Sequence, residues 1–174
     1  MGEIKSTMDI IMEKLNKINI SEEDKKEIIK KEAEETAKRL VSTYKKDGDI
    51  KKLFNELNQL SGEKRKETEK SIISECIEMI SPYGEDNEIA IKLIKEILKK
   101  DVNGIRDIIS SEEERLNKIK ERIKEDLIDK LKKRDIYGSA VIPNIEASSL
   151  WKEEVEKAKE RMRSDMNNFI SNLQ

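Results

Sequence analysis

Histidine is absent from this 174-residue chain, and cysteine occurs once. Without an imidazole, Ser-His-Asp and Cys-His catalysis are excluded, as are ordinary zinc sites and the Glu-x-x-His ligand pairs of di-iron helix bundles. The lone Cys76 has no internal disulfide partner; Ile72, Ile73, Ile77 and Ile80 surround it at helical spacing, which predicts a buried structural thiol. Aromatic residues make up only 3% of the chain, so any core must be aliphatic. The six glycines fall singly at apparent helix ends, and none forms a phosphate-binding loop. No run approaches the ~18 apolar residues needed to cross a bilayer, the N-terminus lacks a signal-like apolar region, and a cytoplasmic protein is expected. Met1-Gly2 followed by Ser6 matches only the loose N-myristoylation pattern, with no basic cluster beside it, and no anchor is assigned.

A charge of one sign is also missing. Thirty-six Lys and Arg face thirty-eight Asp and Glu, unlike a basic nucleic-acid-binding domain or a strongly charged disordered tail. Charged residues nevertheless form 43% of the chain. Ile and Leu recur among them at three- and four-residue steps, the signature of solvated helices that each bury one stripe.

In order, Ile4, Met8, Ile11, Leu15 and Ile18 predict an amphipathic N-terminal arm over 1–20. Ser21 with three acidic residues after it reads as a new N-cap, opening a helix with the stripe Ile28, Ile29, Ala33, Ala37, Leu40, Val41 and Tyr44 and a stop at Gly48. A short helix from Ile50 closes at Ser61-Gly62, and a further one runs from about Glu63 to Ile80 until Pro82 and Gly84 end it. Asp86 or Asn87 can cap the next, whose face is Ile89, Ala90, Leu93, Ile94, Ile97 and Leu98. The periodicity loosens at 101–104, which is read as the edge of a compact helical region spanning 21–104.

From 105 to 174 the spacing predicts an elongated antiparallel helical hairpin. Leu116, Ile119, Ile123, Leu127 and Leu131 form one narrow stripe, and Trp151, Val155, Ala158, Met162, Met166, Phe169 and Leu173 form another, coiled-coil-like in spacing. Ser111 and Glu114 have capping-box spacing inside this segment, compatible with one continuous helix. The fold class is therefore an all-α helical bundle with this hairpin at its C-terminal end.

The connector, 135–149, is the unusual stretch. Ile136 to Ile145 carries no charge at all, although loops are ordinarily polar because their backbone groups need water or explicit partners. Two readings stay open. In one the stretch folds back and plugs the end of the hairpin, Trp151 locking against Tyr137, Val141 or Ile142. In the other it is an exposed docking patch. The candidate partner-binding residues are Tyr137, Val141, Ile142, Pro143, Ile145 and Trp151.

Chemistry has little to work with. Glu112, Glu113 and Glu114, or Glu85, Asp86 and Glu88, lack any recognised cation-loop spacing, and consecutive glutamates on a helix point in different directions. No catalytic residue, cofactor, metal or small-molecule substrate is inferred. Lys130, Lys132, Lys133 and Arg134 suit a helix C-terminus, where cations are favoured, and are also the candidate polyanion-binding residues, with Tyr137 available for stacking. The expectation is a non-enzymatic adaptor or assembly subunit that binds a protein partner or itself through the hairpin and its uncharged connector. An RNA- or ribosome-associated factor using the basic end is the alternative.

Overall fold

The computed structural model describes residues 22–136, 138 and 141–173; the side chain of Glu22 is left out, and the arm over 1–20, Ser21 and Tyr137 lie outside the described residues. Among the described residues six helices follow one another: α1 Glu22–Asp47, α2 Ile50–Asn58, α3 Gly62–Met79, α4 Asn87–Leu98, α5 Asn103–Lys132 and α6 Ser149–Leu173. Among the described residues there is no strand, and no helix is long and apolar enough to cross a membrane. The chain is an all-α bundle.

Small residues let the longest early helices approach closely. Ala33 and Ala37 on α1 are fully buried, and α1 makes its most extensive packing with α3, whose Ile72 and Cys76 are fully buried as well. Tyr44, Leu53, Leu57, Ile91 and Ile94 extend the same aliphatic core across α1, α2 and α4.

One expected boundary moves. Ser61-Gly62, read as the end of the second helix, instead starts α3: Ser61 is extended (φ −62°, ψ 155°) and its carbonyl accepts from Arg65 N at 2.7 Å, so the turn serves as an N-terminal entry. Ser111 is not a cap, because α5 runs unbroken through it. At the α3–α4 turn, the Asn87 side chain accepts from Ser81 N (3.1 Å) and donates to Ser81 O (2.9 Å). A Cβ at Gly84 would stand 2.5 Å from that Asn87 Oδ1, so the turn closes only around a glycine.

α5 and α6 lie side by side in opposite directions. Gly104 faces Phe169, Glu112 pairs with Arg161, and Lys120 sits over the Trp151 ring, its Nζ 5.6 Å from the centroid. The main core continues onto this pair through Ile105, Ile109, Met162, Met166 and Ile170. Beyond the Glu112–Arg161 pair lies a second, smaller cluster of Leu116, Ile123, Trp151 and Ala158, with Ile119, Leu127, Ile145 and Val155 packed around it. The buried core thus crosses residue 104 without a break and changes character near 112.

Candidate functional site

The connector end of the α5–α6 pair begins where α5 stops. Asp135 takes the left-handed conformation (φ 59°), Ile136 N donates to Leu131 O at 3.1 Å, and Asp135 N donates to Lys132 O at 3.0 Å. This is a Schellman closure with aspartate where glycine usually stands. The helix therefore ends just ahead of the connector, and Gly138 follows at φ 136°.

On the return side, Asn144 Oδ1 accepts from Ala147 N at 3.2 Å and Ile145 O accepts from Ser148 N at 3.0 Å. Asparagine side chains readily form such local turns. These two turns fold 144–148 under the start of α6, so Ile145 reaches the small cluster and Trp151 is 8% exposed within it. Residue 142 precedes the turns and escapes: Ile142 is 88% exposed.

The connector is accordingly divided. Of the three residues expected to lock against Trp151, Ile142 stands away from it at 88% exposed, and the Asn144 turn brings Ile145 to the cluster. Nor does the whole uncharged stretch face a dry neighbour, since Ile136 is 47% exposed as well. Val141 and Pro143 are half-buried, and Val141 N donates to Gly138 O at 3.2 Å. Tyr137 lies outside the described residues.

Between the last turns of α5 and the connector runs a groove of about 290 Å³ lined by Leu127, Lys130, Leu131, Arg134, Pro143 and Asn144. Its apolar walls come from Leu127, Leu131 and Pro143; both charged groups in the lining are cations. Lys132 pairs with Asp129 at 3.4 Å, whereas Lys130, Lys133 and Arg134 have no ion pair among the described residues. The expected basic cluster is brought beside Pro143, and Ile142, Ile136 and Leu150 are large apolar side chains left exposed at this end of the molecule. Reading the sequence missed Leu127, Leu131, Asn144 and Leu150. The first two had been assigned wholly to the helix seam, which α6 covers only as far as its own first turn.

Four of the six acidic residues weighed as cation ligands are otherwise engaged. Arg161 Nε lies 3.2 Å from both carboxylate oxygens of Glu112, and its Nη2 donates to Oε2 at 2.8 Å. Glu113 accepts from Tyr83 N at 2.8 Å, Glu88 pairs with Arg106 at 2.7 Å, and Asp86 pairs with Lys45. Cys76 is enclosed in the main core, and burial pushes its thiol up to about 12. Such a thiol is not a nucleophile at neutral pH.

No family model, curated protein or solved structure matches this chain.

Proposed function

We propose that this protein is a non-enzymatic interaction module that holds a segment of a protein partner at the connector end of the α5–α6 pair. The observation that carries the reading is Ile142, 88% exposed beside an apolar groove whose charged groups, Lys130 and Arg134, are both basic. Ile142, Ile136 and Leu150 together leave apolar surface open at this end, and apolar contacts ringed by one sign of charge select partners with the opposite sign. The fitting occupant is a short protein segment with an apolar anchor flanked by carboxylates. A cytoplasmic setting belongs to the same reading.

The alternative occupant, RNA, would use the same cations, and the groove's aliphatic walls argue against it because single-stranded bases bind on aromatic platforms. Selection of a random peptide library on the purified chain tests the proposal. The expected winners share an apolar residue next to Asp or Glu, weaken with salt, and are lost on both Ile142→Asp and the pair Lys130→Glu with Arg134→Glu. Winners without acidic residues, or binding that survives both changes, would overturn it. Salt-sensitive RNA binding that needs the cations but ignores Ile142→Asp would replace the peptide with a polyanion. Self-association through this end is read separately by light scattering on a sizing column, where a strict monomer at high concentration removes it.

A further inference from the structure

A second concavity lies on another face, where the end of α1, the length of α4 and the first turn of α5 meet. It encloses about 450 Å³, within the size range of small-molecule sites. Tyr44, Ile89 and Ile91 supply apolar surface, and Lys45, Lys92, Lys95 and Arg106 bring four cations to one cavity with Glu88 as the only carboxylate in the lining. Two of the cations are already engaged: Arg106 grips Glu88 through Nε at 3.0 Å and Nη2 at 2.7 Å, and Lys45 pairs with Asp86. Lys92 and Lys95 have no ion pair among the described residues, although both lie within electrostatic reach of Glu96, which Lys99 holds at 3.0 Å.

Tyr44 adds an independent sign. The residue is 4% exposed, yet its hydroxyl keeps contact with solvent and no described residue hydrogen-bonds it. A phenol that reaches solvent at a cavity wall without a protein partner is free to donate to a ligand there. Burial foremost, with the Glu96 carboxylate second, pushes this phenol up, which keeps it protonated at neutral pH. The first turn of α5 also reaches the cavity through Arg106, and a helix N-terminus favours anions. The opposing pole of α1 is offset by its own Lys45 and Lys46.

We infer that this cavity binds a small organic phosphate, its phosphoryl group held by Lys92 and Lys95 with the Tyr44 hydroxyl as donor, and its planar or apolar body lying on Ile89 and Ile91. Two unpaired ammonium groups match a phosphate dianion better than a single carboxylate, and lysine binds phosphate as a point charge without needing a glycine-rich loop. The inference does not depend on the connector end; the two sites are lined by different residues.

Calorimetric titration of the full chain with phenyl phosphate, adenosine monophosphate, inorganic phosphate and phenylacetate tests it. At least one of the two organic phosphates should bind below about 1 mM, with inorganic phosphate and phenylacetate each at least about tenfold weaker. Lys92→Ala with Lys95→Ala, both on exposed positions, should weaken that binding at least about tenfold, and Tyr44→Phe should weaken it severalfold while the circular dichroism is retained. No binding of either organic phosphate by the unaltered chain, equal binding by the double lysine variant, or phenylacetate binding as tightly as phenyl phosphate would each overturn the proposal.

Discussion

Glu112 and Arg161 form a two-pronged ion pair at the point where the main core gives way to the smaller cluster near the connector. The Glu112 side chain is 12% exposed and the Arg161 side chain 30%, with Arg115 a further 3.7 Å neighbour of the carboxylate. Hydrogen bonding to Glu112 foremost holds the Arg161 guanidinium above its usual range. Removing one member strands the other, so Glu112→Leu and Arg161→Leu should each lower stability by about 1–3 kcal/mol. The double change to leucine should recover most of that loss, because neither charge is then left buried. Urea unfolding of the four proteins measures the cycle, and additive losses would show that the two side chains do not depend on each other.

Ile142 and Trp151 should separate cleanly in a stability assay. Ile142→Ser removes an almost fully exposed side chain and should change stability by no more than about 0.5 kcal/mol. Trp151→Ala empties the centre of the smaller cluster and should cost about 3–5 kcal/mol. A large loss at Ile142 would mean that the connector plugs the helix pair after all.

Asp135→Gly is expected to stabilise. The aspartate holds a left-handed conformation that L-residues adopt at a cost and glycine adopts freely, and after glycine's extra chain entropy a gain of about 0.5–1 kcal/mol remains. A shift of the urea midpoint to higher concentration is the readout.

Gly104→Ala should act in the opposite sense. The added methyl would stand 2.5 Å from the Phe169 ring, and overpacking of this kind costs about 1–3 kcal/mol. Trimming the ring with Phe169→Leu in the same chain should return part of the loss, and failure to do so would place the strain in the backbone.

Cys76 sets an alkaline limit. Its folded-state pKa is pushed up to about 12, chiefly by burial, so the neutral thiol favours the fold. That contribution is complete below the unfolded pKa near 9 and is lost as pH climbs toward 12. Stability should therefore fall over this interval, less steeply in Cys76→Ala. A disulfide-exchange reagent at pH 8 should label the native protein only at the rate of unfolding and take up one equivalent in denaturant.

The helical class was legible because a 43% charged chain leaves its apolar residues in plain view, and every stripe read from spacing in the described residues lies on an observed helix. Ala33 and Ala37 belong to the stripe read for α1, and both are fully buried. Junctions were harder. Ser61-Gly62 carries equally good signals for an ending and for a beginning, and only the extended Ser61 backbone decides between them. The ten uncharged residues from 136 were conspicuous, but alternation of apolar and polar types does not reveal which side of a turn each residue takes; the Asn144 side chain decides that locally. Neither concavity could be read from the sequence. One needs the turn-by-turn register of Leu127 and Leu131 against Pro143, and the other gathers Lys45, Lys92 and Arg106 from three separate helices.

The single tryptophan of this protein resides wholly in the outlying cluster, beneath Lys120 and away from the aliphatic interior formed by α1 to α4. Intrinsic emission thus watches one end of the molecule, while far-ultraviolet ellipticity averages over every helix. If the two optical signals melt at different temperatures, the outlying end detaches before the interior does, and the chain reports its own division without any added label.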